Sequence, residues 1–190
     1  MKRIFHFCLA AVLLAGFGAP LFAQDHSDDT DDTHNIEIVI PEITLLDIEA
    51  EGQTITLTYG WPTAHPNGEA GLEPGETAQS QDLWLNYTSL SDLTTRKVTV
   101  KLTDGAVPAG LSLYVTPGAI ASGQGTLGNP VGAVEVTSAA TNVITGIGSC
   151  FTGNGTGNGS KLVYSLDADD WTTLVPGTTT GLTVTYTLTD

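Results

Sequence analysis

Residues 182–188 read LTVTYTL, in which threonines alternate with large apolar residues. Successive side chains of a β-strand point to opposite faces of a sheet. The alternation therefore predicts a strand with one buried apolar face and one solvated threonine face. Threonine, valine and tyrosine are also good strand formers. This stretch indicates the kind of structure to look for in the rest of the chain.

The same period of two recurs along most of the sequence. Large apolar residues occupy every second position over residues 36–40, 55–59, 83–87, 98–102, 111–115 and 162–166, and more weakly over 133–137 and 142–147. Turn residues separate these runs, as at Asp104-Gly105 and Pro117-Gly118. With about ten strands and no amphipathic helix, the pattern predicts an all-β fold. We expect a single antiparallel β-sandwich of immunoglobulin-like or jelly-roll type over residues 35–190.

The beginning of the chain has the layout of an export signal. Lys2 and Arg3 precede an apolar run, and small residues end at Ala23, after which we expect cleavage. Residues 24–34 carry five aspartates and no apolar residue, so we expect a solvated, disordered acidic leader. This organisation predicts an exported protein that reaches the extracellular space or cell surface through the periplasm.

The charge excludes several classes of partner. The chain has 6 Lys+Arg, 21 Asp+Glu and a formal net charge of −15, which becomes 4 − 21 = −17 after loss of the two basic residues in the signal. Phosphate backbones and anionic lipids are bound by lysine and arginine, so we expect neither nucleic acid nor anionic membranes as partners. No stretch after the signal is apolar and long enough to predict membrane insertion.

The sequence contains no recognisable catalytic motif. It has no nucleophile elbow, no H-E-x-x-H and no C-x-x-C, so we predict no enzymatic activity and no cofactor. A carboxylate pair assembled from different strands stays open as an alternative. Cys150, the only cysteine after the signal, is interpreted as a buried residue beside Phe151; an intermolecular disulfide and a nucleophile are the alternatives.

Several weaker patterns could bind a ligand. Asp167, Asp169 and Asp170 could offer oxygens to Ca²⁺, and His26 would be the third residue of a mature chain, where an imidazole can help to bind Cu²⁺. The glycine-rich stretch over residues 146–159 is interpreted as a flexible loop. A candidate ligand face, with core packing as the alternative, consists of Trp61, Trp84 and Trp171.

The first predicted strand has a special position, because it follows a flexible leader. Its apolar residues form a candidate assembly strand: Ile36, Ile38, Ile40, Ile43 and Leu45. A sheet edge readily accepts such a strand from another chain, with main-chain hydrogen bonds providing affinity. Head-to-tail donation does not close on itself, so it generates filaments.

The export signal, the alternating segment 35–46, the sandwich-like middle and the closing strand together resemble bacterial pilin subunits that assemble by donor-strand complementation. The resemblance implies a structural role in a surface fimbria, with copies of the chain or related subunits, a periplasmic chaperone and an outer-membrane pore as partners. The chain lacks the two-cysteine disulfide of many members and has more strand candidates than an incomplete sandwich needs. A self-complete sandwich, in which the first strand pairs within its own sheet, therefore stays open, as does a secreted carbohydrate- or metal-binding module.

Overall fold

The computed structural model describes residues 33–49, 54–60, 70–73, 76–77, 82–92 and 95–190. Within these residues no helix is long and apolar enough to span a membrane. They form β-strands, turns and extended segments. The strands are β1 (Ile43–Glu49), β2 (Thr58–Tyr59), β3 (Glu76–Thr77), β4 (Leu83–Leu90), β5 (Arg96–Asp104), β6 (Leu111–Ile120), β7 (Gln124–Gly125), β8 (Asn129–Pro130), β9 (Val134–Glu135), β10 (Thr141–Ile147), β11 (Cys150–Phe151), β12 (Ser160–Ala168) and β13 (Thr183–Thr189).

The strands are arranged in two large antiparallel sheets and one small one. The seven-stranded sheet has the order β7-β11-β4-β12-β6-β9, and β1 pairs with β4 beside this path. The four-stranded sheet has the order β13-β5-β10-β8, and β2 pairs with β3. These strands lie within residues 40–190, which form a unit separate from residues 1–39.

The core lies between the two large sheets and explains the period of two in the sequence. On β4, Leu83, Leu85 and Tyr87 are buried, and from the opposing sheet Val98 and Val100 of β5 join the same apolar cluster. Each sheet thus buries one face against the other, as two packed sheets do. The predicted all-β antiparallel β-sandwich is confirmed.

The first strand begins later than the sequence pattern predicts. A strand was expected over residues 35–46, but residues 33–42 form none, and β1 begins at Ile43. Pro41 gives a physical reason, because it has no backbone N–H to donate within a ladder. The predicted signal over residues 1–23 and most of the leader over 24–34 lie outside the described residues.

Two further expectations about local structure were wrong. Pro117-Gly118 was expected to be a turn but lies inside β6, where an irregularity in the pairing with β12 accommodates it. The strand expected over residues 55–59 is only Thr58–Tyr59, although Ile55 and Leu57 still pack against the core. Alternating burial therefore persists there without a hydrogen-bonded ladder.

Two tyrosines connect the sheets across the core. The hydroxyl groups of Tyr164 on β12 and Tyr186 on β13 lie 2.8 Å apart, within hydrogen-bond distance. Burial raises the pKa of the Tyr164 phenol to about 12, and burial followed by the neighbouring Tyr164 raises the pKa of Tyr186 further. The folded chain therefore holds these phenol protons more tightly than the unfolded chain does.

This pair predicts loss of stability at alkaline pH. Below about pH 10 the folded and the unfolded chain both keep the two phenol protons. Above about pH 10 the unfolded chain releases them first. The free energy of unfolding therefore falls as pH rises toward about 12. Urea unfolding at successive pH values should show a shallower decline for the Tyr164→Phe/Tyr186→Phe variant. Tyr114→Phe, on the outer face of β6, is the control and should decline like the parent. A double variant that declines as steeply as the parent would contradict the prediction.

Candidate functional site

The predicted assembly strand is divided between an exposed segment and a paired strand. The side chains of Ile36, Ile38 and Ile40 are exposed at 72%, 79% and 73%. Ile43 and Leu45 instead belong to β1, where Ile43 is partly buried and Leu45 is 62% exposed. Residues before Ile43 are therefore the part of the segment that presents apolar side chains to solvent without forming a strand.

β1 completes its own sheet and leaves one edge open. All seven of its residues are in register with β4, from Ile43 opposite Leu90 to Glu49 opposite Trp84. Among the described strands β1 pairs only with β4, and β13 pairs only with β5. Each sheet consequently ends in a seven-residue strand with a second edge that no described strand covers.

A buried arginine fixes the start of β1. Arg96 of β5 is only 4% exposed, and its guanidinium donates to the Ile43 carbonyl at 3.0 Å and to the Ser89 hydroxyl at 3.4 Å. Its Nε donates to Asp190 Oδ1 at 2.9 Å, and its Nη2 forms an ion pair with Glu42. The five-donor fork of arginine suits such a convergence of acceptors. Sequence periodicity gave no signal for this cluster.

The candidate tryptophan face is not assembled as one surface. Trp84 lies on the outer face of the seven-stranded sheet, where its Nε1 donates to Asp82 at 2.7 Å and the Lys161 ammonium lies 5.9 Å from its ring. Trp171 follows β12 and its ring lies 6.0 Å from that of Tyr59. Trp84 lies beside Lys161, near the start of β12, whereas Trp171 follows the end of β12 at Ala168. The length of the strand, roughly 20 Å, therefore separates the two tryptophans. Trp61 lies outside the described residues.

The candidate metal ligands are engaged separately. Asp169 accepts from Ser112, Asp167 from the Ala168 amide at 3.0 Å, and Asp170 from the Thr172 hydroxyl at 2.6 Å and amide at 2.9 Å. Both hydrogen bonds from Thr172 lower the pKa of the Asp170 carboxyl, and the hydroxyl bond has the larger effect. Within the part of the chain that the structure describes, no three His, Cys, Asp or Glu side chains form a metal-holding group. His26 lies outside that part.

Cys150 is buried, as its sequence position predicted. Its side chain is 7% exposed and belongs to the apolar core cluster. Burial raises the pKa of the thiol, which keeps it protonated and unreactive. The arrangement favours the structural interpretation over a nucleophile or an intermolecular disulfide.

The glycine-rich stretch over residues 146–159 was expected to be a flexible loop, but Cys150–Phe151 form β11 within it and hydrogen bonds hold part of the remainder against the sheet. The Gly155 amide donates to Glu49 at 3.0 Å, and the Gly155 carbonyl accepts from the Asn86 side chain at 3.1 Å. Asn158 donates to the Asn154 carbonyl at 2.8 Å and accepts from Ser122 at 2.8 Å. These bonds hold the loop against the outer face of β4.

A shallow cleft of about 540 Å³ lies beside this loop on the outer face of the seven-stranded sheet. Thr88 of β4 lies at its floor. Leu45 and Phe151 flank Thr88, because both are its register partners, on β1 and β11. Gly153 and Asn154 line one end. Sequence reasoning missed this site, since the pairing of three separate strands brings its residues together.

The described residues therefore present an exposed apolar segment before β1, the uncovered edges of β1 and β13, and a cleft on the outer face of the seven-stranded sheet. These features differ in chemistry: the segment and the edges suit strand pairing, whereas the cleft combines apolar walls with polar atoms. Comparison with known protein families, with curated proteins and with solved structures gives no match for this chain.

Proposed function

We propose that the chain is an exported, non-enzymatic structural subunit that assembles by adding residues 35–40 of one copy to a sheet edge of the next. The observation that carries this proposal is the exposure of four large apolar side chains within residues 36–40, outside any strand. Ile36, Ile38, Val39 and Ile40 are each exposed at 72–79%. Covering such side chains removes apolar surface from water, which is the main favourable term in association.

The completeness of the sandwich supports donation of this segment. β1 already occupies the full length of its pairing with β4, so residues 35–40 are not needed to fill that position. The segment retains the alternation of a strand former, with Glu37 between Ile36 and Ile38. An added strand gains main-chain hydrogen bonds from an uncovered edge, and its alternate side chains set the register.

Both the segment and an edge are present on each copy, which makes the contact heterologous. A heterologous contact repeats from one copy to the next and yields an open filament unless the rotation closes into a ring. The other partners in this proposal are related subunits, a periplasmic chaperone and an outer-membrane pore. These partners are implied by the resemblance to pilin subunits, so they are proposed only together with assembly by strand donation.

We expect deletion of residues 35–40 to abolish polymer while leaving the sandwich folded, because these residues form no strand and their isoleucines are exposed. The measurement is light scattering after size exclusion of the chain from residue 24 onward, with negative-stain imaging. Replacing Ile36, Ile38 and Ile40 together by threonine should have the same effect. Replacing the three by valine, which stays apolar and strand-forming, should preserve assembly.

Two outcomes would contradict the proposal. Polymer that survives the deletion would show that another surface assembles the chain. A parent protein that stays monomeric at every accessible concentration, with the three isoleucines still open to solvent, would remove the assembly role. Circular dichroism of the deletion variant distinguishes loss of assembly from loss of fold, because a folded variant keeps the thermal transition of the parent.

A further inference from the structure

The cleft on the outer face of the seven-stranded sheet has two apolar walls. Phe151 is 48% exposed and Leu45 is 62% exposed, although both are large side chains that proteins usually cover. They stand on either side of Thr88, one strand away in each direction. Adjacent strands lie about 4.8 Å apart, so roughly 10 Å separates the two walls at the backbone. A slot of that width admits a single small ring.

The end of the cleft is built by the glycine-rich loop and is held in place from below. The Gly155 amide and carbonyl are bonded to Glu49 and Asn86, which lie on β1 and β4. Asn86 is 97% buried, since its exposed fraction is 3%, and its Oδ1 has no hydrogen-bond partner among the described residues. This oxygen is itself buried close to Gly159, so Asn86 serves the cleft through its side-chain amide, which holds the Gly155 carbonyl and with it the loop at the end of the cleft.

The polar groups around the slot suit hydroxyl groups. Asp47, opposite Asn86 on β1, offers carboxylate oxygens, Thr88 offers a hydroxyl, and Asn154 offers an amide. The structure gives Asp47 and Thr88 no side-chain partner among the described residues. A carboxylate accepts hydrogen bonds, whereas a hydroxyl and an amide both donate and accept, so together they match groups that do both.

The charge narrows the class of ligand. Among the residues that the structure describes, those lining the cleft include no lysine or arginine, and the chain carries a net charge of −15. Phosphate, sulfate and acidic sugars would meet the Asp47 carboxylate without a compensating cation. A neutral sugar ring has apolar C–H faces and a rim of hydroxyl groups, which correspond to the two apolar walls and the polar rim of this cleft.

We infer that the cleft between Leu45 and Phe151 binds one ring of a neutral saccharide. The ring lies between the two apolar side chains, and its hydroxyl groups bond to Asp47, Thr88 and Asn154. This site is independent of residues 35–40, so it belongs to each subunit whether or not the chain polymerises. A filament of such subunits would then carry a row of identical weak sites, which together bind a multivalent ligand more strongly than one site does.

The experiment is an amide NMR titration of the chain from residue 24 onward with residues 35–40 deleted, so that polymer does not interfere. The probes are the methyl glycosides of mannose, glucose, galactose and N-acetylglucosamine. The concentration of each is increased to about ten times a dissociation constant in the millimolar range. Butylammonium is the control ligand. It carries a positive charge and no hydroxyl groups, so it tests whether the cleft binds cations instead of saccharides. We expect at least one glycoside to shift signals of Thr88, Phe151 and Asn154 with a dissociation constant in the millimolar range.

Variants then test the assignment. Phe151→Ala should weaken this binding by about tenfold, because truncating an aromatic anchor removes most of the contact. Asp47→Asn keeps the shape and tests the carboxylate. Val163→Ala is the matched control, since Val163 is 44% exposed outside the cleft, and it should leave binding unchanged. The inference is overturned if no glycoside shifts the cleft signals, if Phe151→Ala binds like the parent, or if butylammonium alone binds.

Discussion

Replacing Gly159 by alanine is expected to lower the free energy of unfolding by about 2–5 kcal/mol. Gly159 has a φ of +66°, where a side chain is strained. A Cβ at this position would lie 2.1 Å from the Leu85 carbonyl oxygen and 2.5 Å from Asn86 Oδ1. The Leu85 oxygen belongs to the central strand β4, so the backbone has to separate to admit a methyl group.

Gly157 provides the matched control for this substitution. Its φ is +83°, but apart from its two chain neighbours no described residue places an atom within 4 Å of its Cβ position. Gly157→Ala should therefore cost only the conformational strain, about 1–2 kcal/mol, and the difference between the two variants measures the close approach. Urea unfolding of both variants gives that difference in the free energy of unfolding, with the same dependence on urea concentration used for both. Equal destabilisation by the two alanines would mean that Gly159 is not packed against β4.

The same substitution connects the glycine-rich loop to the cleft. Asn86 is held against Gly155 on one side and lies under Gly159 on the other. Displacing Gly159 would displace the floor and the end wall of the proposed saccharide site together. We therefore expect glycoside binding to be lost in Gly159→Ala and retained in Gly157→Ala, even in samples where both variants are folded.

The sandwich could be predicted from sequence because burial imposes the period of two directly on the residues. The runs at 83–87, 98–102 and 182–188 became β4, β5 and β13, and their inward residues form the core. Periodicity was less reliable where a ladder ends. Ile55 and Leu57 keep their alternating burial without pairing, and Pro117 lies within β6 beside an irregularity in its pairing with β12.

The surface sites could not be predicted, because they depend on which strands become neighbours. Leu45, Thr88 and Phe151 are distant in sequence and meet only through the pairing of β4 with both β1 and β11. The glycine-rich stretch 146–159 was interpreted as a flexible loop, since composition does not reveal the hydrogen bonds of Gly155 with Glu49 and Asn86. Arg96 was not singled out from the sequence, because its acceptors lie on separate parts of the chain.

Arg96→Ala is expected to lower the melting temperature by about 10 °C. The Arg96 side chain is 4% exposed, and it donates to the Ile43 carbonyl, to Ser89 and to the carboxylates of Glu42 and Asp190. Alanine leaves a cavity and removes the donors that hold the Ile43 carbonyl and the Ser89 hydroxyl. The two carboxylates can turn to water, since both side chains are 62% exposed.

Two further variants separate charge from geometry. Arg96→Lys keeps a cation but loses the planar fork, so it should recover only part of the lost stability. Lys97→Ala removes a half-buried neighbour on the same strand that also contacts Asp190, and it should change the melting temperature by no more than about 2 °C. An Arg96→Ala protein as stable as Lys97→Ala would show that the arginine cluster contributes nothing to the fold.

The position of Arg96 gives this prediction a consequence for assembly. Glu42 and Ile43 follow Ile40 by two and three residues, so the arginine fixes the chain close to where the proposed assembly segment joins β1. Without that anchor, β1 should open locally before the sandwich unfolds, and its amide hydrogens should exchange faster than those of β5 or β12. If Arg96→Ala speeds exchange throughout the sandwich equally, the arginine stabilises the whole fold. If the acceleration is confined to β1, Arg96 is the residue that keeps this strand in its own sheet and leaves only the preceding segment free to pair with another copy.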